Sequence, residues 1–215
     1  GRPHLKYARD VLPSGKPPFI DKPVGGTLRA AIEIYRIAKQ HNTPLFSSSS
    51  LRFNTMAALQ SAKHGELRGA STFGPCEIES HHPDLYWYGI HATEMLYTVM
   101  GRGCQTVVRT HTPNVDVVTG TWSDGRVGTM SGNRATKSGY GVTVFGSGGI
   151  VTPELKTGYG LMLKEIVKFF QTRVVPVPAE DTIELMAFME AADESKRRGG
   201  APVSLADVMK ANQPK

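Results

Sequence analysis

Between residues 4 and 50 the chain runs helix, short apolar strand, Asp-Lys-Pro, a glycine pair, amphipathic helix and second apolar stretch, joined by connections of a few residues. This order is what a parallel α/β sheet requires, because parallel neighbours must be joined through a crossover helix. Leu5, Ala8, Val11 and Leu12 fall at helical spacing, and Pro-Ser-Gly closes that helix. Pro17-Pro18-Phe19-Ile20 then predicts a buried strand. After Gly25-Gly26, Thr27 is the expected N-cap of a helix whose Leu28, Ala31, Ile32, Ile34, Tyr35 and Ala38 form one apolar face. The stretch from Asn42 to Ser50 predicts a second parallel strand. Two strands and two helices are too small for an independent layer, so they must pack on the remainder or complete a sheet begun elsewhere.

From residue 51 the pattern changes. A helix is expected from Arg52 to Lys63, a strand from Arg68 to Glu79, and a polar loop at residues 80–84. An apolar helix follows from Tyr86 to Gly101. Residues 105–152 hold four β-branched runs broken by glycine turns, which predicts an antiparallel meander with Asp124-Gly125 as its clearest hairpin. Gly146-Ser147-Gly148-Gly149 reads as another hairpin turn and not as a phosphate loop, since no helix follows it. Two helices close the pattern, the second stopped by Gly199-Gly200. Met186, Phe188 and Met189 are expected in the core. The fold class is α/β, with a parallel remnant over residues 1–50 and a larger, mostly antiparallel sheet flanked by helices over residues 51–215.

Composition narrows the function. With 40% hydrophobic and 20% charged residues the chain is that of a globular protein. It contains nothing near the roughly 18 consecutive apolar residues of a membrane span, so no membrane partner is expected. A formal charge of +6 and a pI near 9.4 permit binding of anions. The basic residues are nevertheless dispersed and match no nucleic-acid module, so no nucleic-acid partner is expected. The one dense run, Lys196-Arg197-Arg198, reads as a solvated helix C-terminus. Cys76 and Cys104 lack any CxxC spacing and read as two unpaired thiols. His81-His82 are adjacent and point apart, so no metal site is expected there.

Lys22 is placed where open α/β sheets meet their ligands, at the carboxyl end of a parallel strand. A cis Lys22–Pro23 bond would fix its direction; a solvated turn lysine is the plainer alternative. His91 sits in an otherwise apolar helix with Glu94 three residues on, so the two could form an acid/base pair or a satisfied core contact. The serines at 47–50 have no evident base partner in sequence.

These residues together resemble a known family. The stretch from His4 to Phe53, the segment YGIHATEMLYTVMG and the two closing helices are similar to the glucose-fructose oxidoreductase/inositol dehydrogenase/MocA (Gfo/Idh/MocA) family. The joint carriers are a strand-terminal [ED]-K-P and a downstream G-x-H-x-x-[DE] helix. The resemblance implies an NAD- or NADP-dependent dehydrogenase acting on a sugar, cyclitol or polyol hydroxyl. It implies a Rossmann remnant over residues 1–50 and a C-terminal substrate and oligomerisation domain over 51–215, with homo-oligomers formed through its sheet. It carries catalytic roles to Lys22 and His91, and cofactor contacts to Asp21, Lys22 and Pro23. It also suggests substrate contacts for Arg52, Trp87 and Glu94.

Three departures qualify it. Asp21 stands where glutamate is usual, and Trp87 stands where many members have an aspartate four residues before the histidine. The glycine-rich dinucleotide turn is not in the chain, and the expectation is that it precedes residue 1. The expected compartment is the cytoplasm, with an export signal ahead of residue 1 left open. A non-catalytic carbohydrate-binding or scaffold protein is the alternative, since Tyr86, Trp87 and Tyr88 could stack on sugar rings or form helix core.

Overall fold

In a computed structural model that describes residues 1–137 and 139–214, the chain forms seven helices, α1 to α7, and seven strands, β1 to β7. Helix α1 (His4–Val11) runs into a 3-10 turn at Leu12–Ser14 that Gly15 ends with φ 73°. Helix α2 (Leu28–Gln40) begins as expected, with Thr27 Oγ1 accepting the Ala30 N–H at 3.1 Å. The glycine before it is a steric requirement: a Cβ at Gly25 would lie 2.6 Å from the backbone nitrogen of Ala31.

The two expected parallel strands shrink to one parallel bridge between Phe19 and Phe46, closed by Ile20 N–H donating to Phe46 O at 3.1 Å. Pro17 and Pro18 carry no backbone N–H. Pairing therefore cannot extend toward the N-terminal side through those residues.

Helix α3 (Ser50–Leu59) leads to β1 (Leu67–Pro75), and α4 (Gly89–Met100) leads to β2 (Cys104–His111), β3 (Val115–Trp122) and β4 (Val127–Asn133). Then come β5 (Gly141–Gly146), β6 (Gly149–Val151), α5 (Gly160–Thr172) and α6 (Ala179–Arg197). A short β7 (Val203–Ser204) and α7 (Leu205–Ala211), neither evident from sequence, complete the order. The sheet runs β6-β5-β1-β4-β3-β2-β7. The expected meander holds for β2, β3 and β4 but breaks after β4, because β1 inserts between β4 and β5, parallel to the first and antiparallel to the second. Such an insertion leaves no local signal, since it joins segments more than 50 residues apart. Both expected hairpin turns form: Gly125 takes φ 85°, and Gly146 pairs with Gly149 across Ser147-Gly148.

One sheet face is covered by α4 and α6, which bury Val107, Val118, Trp122, Met130, Val142 and Val144. Met186, Phe188 and Met189 lie in this core as expected. The opposite face stays open, with Phe73, Val117, Val127 and Phe145 exposed. Helix α2 packs on α6, so the first 50 residues share their core with the sheet layer. Helix α5 joins through Met162 and Phe169, which pack against Phe46 and Phe53.

A buried ionic cluster pins α6 to the sheet. Arg109 on β2 bonds Asp116 at 2.8 Å, Asp193 at 2.5 Å and Asp84 at 3.1 Å with none of its side chain exposed. Lys196 joins through Asp84 at 2.6 Å. The Lys196-Arg197-Arg198 run is thus only partly a solvated helix end: Arg197 and Arg198 pair outward with Glu194, while Lys196 belongs to the cluster. Cys76 and Cys104 are separate, buried free thiols, their pKa values pushed up to about 11 and about 12 chiefly by burial.

Candidate active site

The strand bridge at Phe19 delivers the chain to Lys22, and the Lys22–Pro23 peptide is cis. The lysine does not extend freely into water. Its Nζ donates to Trp87 O at 2.8 Å and stands 5.3 Å from the Trp87 ring centre and 5.4 Å from that of Tyr88. Both distances are within the reach of cation–π attraction. Burial lowers the pKa of Lys22, and nearby Asp21 opposes that shift only in part.

Trp87 is not helical. Tyr86, Trp87 and Tyr88 form the turn before α4, and His91 lies in the first turn of that helix. Each aromatic has a different role. Tyr86 is fully buried and donates to Glu190 at 3.2 Å. Trp87 remains 38% exposed, and the His82 ring packs against it at 5.1 Å. Tyr88 stands edge-on to His91 at 5.7 Å, so its ring touches both Lys22 and His91. His81 and His82 share the Glu79 carboxylate at 2.5 and 2.9 Å, which holds that carboxyl down at about 2.

His91 is oriented by Ser49, whose Oγ lies 2.7 Å from His91 Nδ1. Ser49 is also the N-cap of α3 and accepts the Leu51 N–H at 3.1 Å. The serine run therefore does have an imidazole partner, which its sequence did not reveal because the two residues are 42 positions apart. Burial, and secondarily the Lys22 charge, push the pKa of His91 down to about 3. The positive end of α4 acts in the same direction.

Tyr140 completes the surround at 5.9 Å from His91. Its ring occupies space that only a glycine leaves free, since a Cβ on Gly74 of β1 would approach it to 2.7 Å. Burial and the proximity of Tyr88 push the Tyr140 pKa up to about 12.

The anticipated His91–Glu94 pair does not form. Glu94 accepts from Arg52 Nε at 2.5 Å and from Ser48 Oγ at 3.1 Å, behind the histidine. Arg52 is 7% exposed and also approaches Asp181 at 3.7 Å, so neither member of this pair faces an open substrate position. Both are committed to supporting the α3–α4 contact. Asp21 is exposed beside Lys22, and Pro23 is buried.

Lys22, Trp87, Tyr88, His91 and Tyr140 thus form an open shelf. A cleft of about 220 Å³ lined by His4, Tyr7, Val11, Phe19 and Asp21 adjoins this region. Among the described residues, no group of three His, Cys, Asp or Glu side chains is arranged to hold a metal ion.

No family model matches the chain, and no curated protein matches it. Solved structures do. The apo scyllo-inositol dehydrogenase of Lactobacillus casei superposes with a TM-score of 0.77 at 16% identity, over 95% of this chain and 76% of that one. The chain has the fold of Gfo/Idh/MocA-type dehydrogenases. The WlbA dehydrogenase of Bordetella pertussis, solved with NADH and UDP-GlcNAcA, gives a TM-score of 0.73 at 14% identity, over 94% of this chain and 75% of that one. An Agrobacterium radiobacter oxidoreductase, solved with NAD+, L-tartaric acid and magnesium, gives 0.72 at 17% identity, over 95% and 78%.

Proposed function

We propose that this chain is the substrate side of an NAD(P)-dependent dehydrogenase of the Gfo/Idh/MocA family, oxidising a secondary hydroxyl of a sugar, cyclitol or polyol. The observation that carries this reading is the meeting of Lys22, from the strand end, with His91, from the start of α4, around the shared Tyr88 ring. Residues 1–50 are read as the closing part of the dinucleotide-binding domain and residues 51–215 as the substrate domain.

The chain's residues fit the reacting end of such a cofactor. Asp21, Lys22 and Pro23 would border it, while a Gly-x-Gly-x-x-Gly phosphate cradle is not among these 215 residues. A bound nicotinamide nucleotide supplies the acceptor for hydride from the carbinol carbon. The side chains must then manage the hydroxyl proton, and Lys22 and His91 are the two groups placed to bind the oxygen or take that proton. Depressed pKa values suit both, because at neutral pH each is closer to its neutral form than it would be in water. Trp87, still partly exposed, offers an apolar face on which a sugar ring can stack. The open apolar face of the sheet, with Phe73, Val117, Val127 and Phe145, is read as the contact between copies of the chain.

A second reading is favoured by the exposed Trp87: a carbohydrate-binding protein without turnover. Titration with NADH and NADPH, followed by nucleotide fluorescence and then by polyol-dependent reduction of NAD or NADP, separates the two. The dehydrogenase reading expects saturable nucleotide binding and turnover that falls at least about 100-fold in Lys22→Met, in line with loss of a general acid/base group. Sugar binding without nucleotide binding or turnover overturns it in favour of the second reading.

A further inference from the structure

We propose that Ser49 is a positioning residue that fixes His91 as its Nε2–H tautomer, so that His91 meets the substrate oxygen as a hydrogen-bond donor and Lys22 is left to take the proton. The role assigned toward substrate rests on the dehydrogenase reading above; the tautomer does not.

The argument begins with the hydroxyl inventory. Ser49 Oγ has one hydrogen to donate and two lone pairs to accept with. The Leu51 N–H at 3.1 Å occupies one lone pair as the N-cap of α3. Ser49 is 1% exposed, so water cannot receive its hydrogen. Among the described residues the one acceptor within reach of that hydrogen is His91 Nδ1, at 2.7 Å. The opposite assignment, Nδ1–H donating to Oγ, would leave a buried hydroxyl hydrogen with no acceptor, an arrangement native interiors avoid. Nδ1 therefore accepts, and the proton of the neutral ring resides on Nε2.

The other edge of the ring is free to act. His91 Nε2 has no hydrogen-bond partner among the described residues and is not among the sealed, unpartnered polar atoms, so it opens to the shelf. The groups facing the ring are Lys22, Tyr88 and Tyr140; the nearest carboxylate on the same helix, Glu94, is committed to Arg52 and Ser48. With no carboxylate against the ring, nothing stabilises an imidazolium, and a histidine that must gain a proton during turnover is poorly supplied here. A neutral Nε2–H is instead suited to hold the substrate oxygen and to stabilise charge that grows on it.

Proton accounting then points to Lys22. As the carbinol C–H electron pair leaves as hydride for a nicotinamide-type acceptor, the O–H bond breaks, its electrons form the carbonyl and its proton passes to the amine form of Lys22. That lysine is part-buried, and burial lowers its pKa, so the amine form is reached more readily than in water.

Long-range 1H–15N correlation spectra of the labelled protein near neutral pH read the tautomer directly, with His91 assigned by its loss in His91→Gln. The expected pattern is a pyrrole-type Nε2 and a pyridine-type Nδ1. In Ser49→Ala the two nitrogens should move toward each other as the tautomers mix, and Ser49→Thr, which keeps both the hydroxyl and the cap, should restore the separation. A wild-type spectrum with the proton on Nδ1, or an unchanged pattern in a folded Ser49→Ala, overturns the proposal. If Ser49→Ala does not fold, the wild-type spectrum alone decides. Because the measurement uses no nucleotide or polyol, it can fail while turnover succeeds, and the reverse.

Discussion

Replacing His91 by glutamine should make the protein less sensitive to acid, and the size of the effect follows from the burial of the imidazole. The folded ring is held at about 3 against its usual 6.5. Below pH 6.5 the unfolded chain takes up a proton there that the folded chain refuses, so the unfolded state gains free energy as pH falls. The loss approaches about 1.4 kcal/mol per pH unit until the folded pKa is reached. Between about pH 8 and about pH 5 the single histidine therefore costs the wild type about 2 kcal/mol of stability. Every other titrating group is common to both proteins, so subtracting their urea-unfolding free energies at each pH isolates this term. The expected result is a wild-type-minus-variant difference that is flat above pH 7 and falls by about 2 kcal/mol on going to pH 5. Parallel curves for the two proteins would refute the reasoning, because they would mean that His91 titrates in the folded state as it does in water.

Two further outcomes test the framework around the shelf. Arg52→Met alone should cost about 3–5 kcal/mol by leaving Glu94 buried and uncompensated, whereas the double variant Arg52→Met/Glu94→Leu should recover much of that loss; denaturant melts of the four proteins in the cycle measure it. Gly74→Ala should cost about 1–3 kcal/mol of stability by crowding the Tyr140 ring, and the His91 side-chain resonances should shift with it because the two rings are in contact at 5.9 Å.

Local chemistry made much of the fold legible. The Thr27 cap, the apolar face of α2, the Asp124-Gly125 turn and the alternation in β2, β3 and β4 each express an interaction within about ten residues, and each is found as read. What was hidden depends on distant partners. The parallel pairing of β1 with β4, and the reduction of the first two strands to a single bridge, are decided by which edges find a neighbour. Hydrophobic pattern alone does not carry that information.

The candidate site divides along the same line, and the division explains why its lysine and histidine could be named from sequence while its serine and tyrosine could not. Lys22 and His91 stand at element ends whose positions follow from local pattern, the close of a strand and the first turn of an apolar helix. Ser49 looked inert because its partner is brought to it by the packing of α3 on α4. Tyr140 gave no signal because the reason for its place is the missing side chain of Gly74, 66 positions away and on the strand that inserts into the meander. Glu94 misled for a related reason: helical spacing put it within reach of His91, but Arg52 offers a full charge in a buried setting, and a carboxylate there gains more from a guanidinium than from a neutral imidazole. With the carboxylate engaged elsewhere, the burial that pushes the His91 pKa down goes uncompensated. The buried Arg52–Glu94 pair thus shapes the chemistry of the shelf without facing it.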